Sequence, residues 1–113
     1  MSRSTVNSVE NAITEIQNRE GEFKTALDDD AQAEHTYKLE KAKAFLAADG
    51  TEKAREARSV VDSEKFHLDH LKKKAVKEFT REKLKDSQDA LSARQSILKY
   101  EAQTDFGASR AGA

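Results

Sequence analysis

The segment Ala47-Ala48-Asp49-Gly50-Thr51-Glu52 is the strongest stop signal in a chain otherwise built to continue a helix. Proline is absent from the 113 residues, and glycine stands only at 21, 50, 107 and 112. Ala, Glu, Lys, Leu and Asp dominate, so helix formers prevail and breakers are scarce. Gly50 can take the left-handed conformation that ends a helix, and Thr51 can cap the next one. So short a connection leaves antiparallel packing as the simple solution. The predicted fold is all-α: two long helices, about 4–48 and about 52–102, joined by a turn at 49–51 in an antiparallel, coiled-coil-like hairpin spanning 1–102. The remainder, 103–113, is small, polar and Gly-bearing, which predicts a disordered tail with Phe106 as its anchor.

Hydrophobic spacing sets the expected contact faces. Val6, Val9, Ile13, Ile16, Glu20, Phe23 and Leu27 recur at steps of three and four, and the register continues through Asp30, Glu34, Tyr37, Lys41, Ala44 and Ala48. Gly21 costs about 1 kcal/mol relative to Ala inside a helix, and a continuous helix through it is expected. The second helix offers Ala54, Ala57, Val61, Leu68, Leu71 and Ala75, then Val76 and Phe79, then Leu84, Leu91 and Leu98. Its last three leucines are out of phase with Leu68 and Ala75, which predicts a phase slip between Ala75 and Leu84. The result is an apolar end, Val6, Val9, Ile13 and Ile16 against Leu84, Leu91 and Leu98, and a polar middle. Two helices bury only a narrow stripe, so that apolar end is also expected to carry self-association into a dimer or larger bundle.

Composition narrows the function. Apolar and charged residues are each 36 % of the chain, which suits helices that bury one stripe. No run approaches the roughly 18 apolar residues of a membrane span, so no membrane partner is expected. The N-terminal text MSRSTVNSVENAITEI does not read as a signal peptide, and there is no cysteine, so a cytoplasmic protein without disulfides or thiolate chemistry is expected. Net charge is −1, so any attraction to nucleic acid must be local.

The local feature is Lys72-Lys73-Lys74, followed by Lys77, Arg81, Lys83 and Lys85. Lys72, Lys73, Lys74, Lys77 and Arg81 are the candidate phosphate contacts. Against that reading, Glu78, Glu82 and Asp86 lie at helical pairing distances from these bases. Folding at Asp49-Gly50 sets residue i opposite roughly 99 minus i, which brings Asp28-Asp29-Asp30 within about a turn of the lysines. The arm before Gly50 carries net charge −4 and the remainder +3. Internal pairing of acid with base is therefore the expected use of this run.

Other constellations are weaker. Glu64-x-x-His67 has the spacing of di-iron carboxylate bundles, but neither His35 nor His70 has a Glu three positions earlier, and no metal or other cofactor is expected. With Leu68 and Leu71 buried, His70 is expected to point outward. No phosphate loop and no Ser, His and carboxylate motif is present, and a thin hairpin offers no deep pocket, so the protein is not expected to be an enzyme. Tyr37, Phe45, Phe66 and Phe79 read as core or oligomer contacts in preference to base-stacking platforms.

Tyr37-Lys38-Leu39-Glu40-Lys41-Ala42-Lys43-Ala44-Phe45-Leu46, then Gly50-Thr51, Arg55-Glu56-Ala57 and Leu91-Ser92-Ala93-Arg94-Gln95-Ser96, give the chain a resemblance over about residues 33 to 100. It resembles small helical proteins of tailed bacteriophages, early-region products lying near recombination and replication functions, most without an assigned activity. The resemblance implies a phage accessory protein in the host cytoplasm and transfers no catalytic residue. The expected function is a helical protein–protein interaction module, an adaptor or inhibitor acting on a phage or host protein. The alternatives are a nucleic-acid-binding accessory of recombination or replication and a structural or assembly component of the virion.

Overall fold

The computed structural model describes the backbone of residues 3–112 and the side chains of residues 3–104. The described backbone forms three helices, α1 (Arg3–Ala47), α2 (Glu52–Asp62) and α3 (Glu64–Gly112). The fold is all-helical, and α1 and α3 pack antiparallel as a helical hairpin. Two compact units are distinguished, one formed by Met1–Glu22 with Arg81–Ala113 and the other by Phe23–Thr80.

The turn is built as its residues predict. Gly50 adopts φ +104°, the left-handed region that L-side chains avoid. Thr51 is extended, and its hydroxyl accepts a hydrogen bond from the Ala54 amide at 3.2 Å. Arg55 closes the corner: its guanidinium lies 5.1 Å from the Phe45 ring centroid and donates to the Leu46 carbonyl at 3.4 Å. α1 passes through Gly21 without interruption.

The second arm departs from the prediction. The irregularity lies at Ser63, between α2 and α3, and not between Ala75 and Leu84. Ser59 and Ser63 are fully buried there. The Ser63 hydroxyl donates to the Ser59 carbonyl at 2.6 Å, and the Ser59 hydroxyl to the Glu56 carbonyl at 2.7 Å. Serines bonding back one turn compete with the helical ladder and bend it. At the far end, α3 runs to Gly112, past the end expected at about 102. The Phe106 side chain, the expected anchor of the tail, lies outside the described residues.

The buried stripe corrects the predicted contact faces. On α1 the shielded positions include Thr5, Val9, Ala12, Ile16, Arg19, Phe23, Ala26, Asp30, Ala33, Tyr37, Glu40 and Ala44. Most of the predicted stripe is in place: Val6, Val9, Ile16, Phe23, Asp30, Glu34, Tyr37, Lys41, Ala44 and Ala48 are buried or half-buried. Its exceptions are Ile13, Glu20 and Leu27, which are exposed while Ala12, Arg19 and Ala26, one position earlier, are shielded. On α3 the stripe runs Phe66, His70, Lys73, Lys77, Thr80, Leu84, Ser87, Leu91, Arg94, Leu98 and Glu101 in unbroken steps of three and four, with no phase slip. Leu68, Leu71 and Phe79 are exposed, and His70 is in the seam instead of pointing outward. Ala12, Ala26 and Ala33 are buried, so a larger side chain at these positions meets a filled contact.

This geometry predicts opposite outcomes for neighbouring residues. Ala12→Leu should overfill the seam and destabilise by about 1–3 kcal/mol. Ile13→Ala should cost less than about 1 kcal/mol, well short of the 2–5 kcal/mol expected for a buried isoleucine. Equilibrium urea unfolding at one protein concentration measures both, and a larger loss for Ile13→Ala would restore the stripe read from hydrophobic spacing.

Candidate functional site

The centre of the Phe23–Thr80 unit is polar because the heptad seam places charged and aromatic residues where a coiled coil would carry leucine. Asp30 of α1 is buried between two residues of α3. Its Oδ2 accepts from Lys77 Nζ at 2.7 Å, and its Oδ1 lies 3.2 Å from His70 Nε2. Oδ1 is buried and receives no well-aligned hydrogen bond, so its contact with His70 is mainly one of charge when the imidazole is protonated. Tyr37, two turns along α1, stacks on His67 at 4.6 Å with the rings 9° from parallel, and its ring lies 6.4 Å from that of His70. A carboxylate, an ammonium, two imidazoles and a phenol thus line one stretch of the seam.

The hydrogen bond from Lys77 is the main reason the Asp30 carboxyl is held below its ordinary 3.8. Burial opposes it, and the charges of Lys77 and then His70 reinforce it. Glu34 is also lowered, first by a hydrogen bond from Lys38, with which it pairs at 2.9 Å on the outer side of α1.

The candidate phosphate contacts differ in their surroundings. Lys77 is committed to Asp30, and Lys73 lies in the seam beside a shallow cavity that Asp29 and Asp69 also line. Lys72, Lys74 and Arg81 are exposed. The expected meeting of acid and base occurs through Asp30 and Lys77. Asp30 lies between His70 and Lys77, about a turn from the register read off the turn position.

The predicted interface residues divide similarly. Val9, Ile16, Leu84, Leu91 and Leu98 are shielded along the seam, Val6 is half-buried and Ile13 is exposed. Their apolar surface is thus used largely in packing α1 on α3. A different apolar surface stands out. At 100° per residue, Leu68, Leu71, Ala75 and Phe79 fall on the side of α3 opposite His70, Lys73 and Lys77. Leu68 is 50 %, Leu71 46 % and Phe79 56 % exposed, and Val76 beside them is 51 % exposed. Hydrophobic spacing detects this stripe but cannot tell which of two faces meets the other arm.

Among the described residues no three His, Cys, Asp or Glu side chains gather in a metal-binding group, and His67 of the Glu64-x-x-His67 pair has its ring against Tyr37. No described helix is long and apolar enough to cross a membrane. No protein-family model, curated protein or solved structure matches the chain.

The Asp30 cluster predicts an acid-sensitive hairpin. Because the native carboxyl binds its proton more weakly than the unfolded chain does, its stabilisation is complete above about pH 4 and is lost as pH falls through the lowered folded value. Asp30→Asn should lower the unfolding midpoint at neutral pH, leaving Lys77 without its counter-charge, and should flatten the acid limb between about pH 5 and about pH 2. Thermal unfolding followed by circular dichroism across that range tests it, and an unchanged acid limb in Asp30→Asn would remove the cluster from the account.

Proposed function

We propose that the protein is a non-enzymatic helical interaction module whose docking surface is the outward stripe of α3. The observation that carries this reading is the exposure of Leu68, Leu71, Val76 and Phe79 on a helix whose opposite face is already engaged. Apolar side chains at helical spacing form the anchors by which one amphipathic helix receives another. Water-exposed apolar surface in one contiguous patch marks interaction sites more often than scattered single residues do.

The edges of the stripe favour a second copy as its occupant. By helical phase Glu78 borders it on one side, and Lys65 and Lys72 on the other. Two α3 helices packed face to face and parallel bring the basic edge of each against the acidic edge of the other, whereas antiparallel packing opposes like edges. This agrees with the expectation of self-association and moves its place from the Val6–Leu98 end to residues 68–79. The resemblance to phage accessory proteins supplies the setting, in which the module holds phage or host proteins together.

Light-scattering mass measured across protein concentration tests the assignment. The wild-type chain should reach the mass of a dimer, and Leu71→Lys with Phe79→Lys should remain a monomer of unchanged helicity. Both positions are exposed, so each substitution should alter the stability of one hairpin by no more than about 0.5 kcal/mol. A wild-type monomer at every concentration, or a dimer that survives both substitutions, overturns the assignment.

A further inference from the structure

A second cluster lies in the unit formed by Met1–Glu22 and Arg81–Ala113. Arg94 occupies a seam position of α3 and is half-buried. The other basic residues at seam positions have acidic neighbours. Arg19 lies 3.8 Å from Glu15 and 3.1 Å from Glu22, Lys77 is bound to Asp30, and Lys73 shares a cavity with Asp29 and Asp69. Arg94 lines an open cavity of about 540 Å³ with Arg3, Ser4, Asn7, Ser8 and Asn11. Ser4, Ser8 and Arg94 also line a smaller hollow of about 190 Å³ with Thr5 and Ile97. Neither lining includes a carboxylate. Glu101, which accepts a hydrogen bond from Thr5 at 2.9 Å, lines neither hollow.

A partly desolvated cation without a counter-charge is costly, and the seam elsewhere supplies one from the protein. Here every surrounding side chain can donate: two guanidinium groups, two side-chain amides and two hydroxyls line one space. We propose that this cluster binds a phosphate group, with Arg94 as the principal ligand and Arg3 as the second charge. The planar guanidinium fork matches two oxygens of a phosphate, and two such groups balance the roughly −1.5 to −2 charge of a phosphate monoester at neutral pH. At about 30 Å³ of liquid volume per water, the cavity has room for the anion with part of its hydration shell. Phosphate can arrive free, as a small monoester or in a nucleic-acid chain, and the site chemistry is shared by these sources. This inference is independent of the α3 stripe, which lies in the other unit.

The test is an amide-resolved magnetic resonance titration of the full chain with inorganic phosphate, at ionic strength held constant with chloride. Saturable shifts should appear at residues 3–11 and at the Arg94 side chain. Arg94→Gln should weaken the titration about tenfold or more, the loss expected for a hydrogen-bonded charge. Arg3→Gln should also weaken it; Arg3 is exposed, so this variant keeps the question open to test if Arg94→Gln fails to fold. Lys72→Gln should leave it unchanged. A short oligonucleotide with and without a 5′-phosphate separates the sources: equal shifts from both identify the chain phosphates, and shifts from the phosphorylated form alone identify a monoester. Absence of saturation, shifts centred on residues 72–74, or wild-type titration by Arg3→Gln would overturn the proposal.

Discussion

The seam of small residues on α1 governs what the rest of the hairpin can do. Ala12, Ala26 and Ala33 are buried against α3, and Ala12 is only 1 % exposed. The bulky residues one position on, Ile13 and Leu27, are exposed. The same pattern holds on α3, where Thr80 and Ser87 are buried and Leu68, Leu71 and Phe79 are not. Apolar surface that the hairpin cannot accommodate is thereby left facing water, and it is this surplus that supports the reading of an interaction module.

The seam carries charge as well as apolar surface. Asp30, Lys77 and His70 occupy positions where leucine would otherwise pack, and their mutual contacts offset part of the cost of removing them from water. Such a buried polar layer discriminates between registers more than it stabilises any one, because a shift of one turn leaves Asp30 without Lys77. Arg19 with Glu15 and Glu22, and Lys41 with Glu56 at 3.3 Å, are more exposed pairs along the same arms. Arg94 is the exception, a seam cation among hydroxyls and amides.

Much of the fold is legible in the residues. Gly50 and Thr51 locate the turn and cap, the absence of proline accounts for long helices, and most of the α1 stripe follows from spacing alone. The errors share one cause. Hydrophobic spacing ranks residues by apolarity, so it chose Ile13 over Ala12, Leu27 over Ala26, and Leu68 and Leu71 over Phe66, His70 and Lys77. It then required a phase slip to join Leu68 and Ala75 to Leu84, although the buried stripe passes smoothly from Lys77 through Thr80 to Leu84. The site was less legible. The proximity of an aspartate to the lysine run could be read from charge and fold-back, but not the choice of Lys77, the entry of His70 or the stacking of Tyr37 on His67.

The sequence by itself determined that this protein is helical, where its chain reverses, and that acid and base would meet between its arms. Those properties reside in local backbone preference, in the stop signal at Asp49-Gly50-Thr51 and in charge composition. Only the tertiary structure decided which face of each helix is inside. That choice depends on how two faces fit, a property of both arms at once: Ala12, Ala26 and Ala33 are buried, while Ile13 and Leu27 on α1 and Leu68, Leu71 and Phe79 on α3 are left exposed.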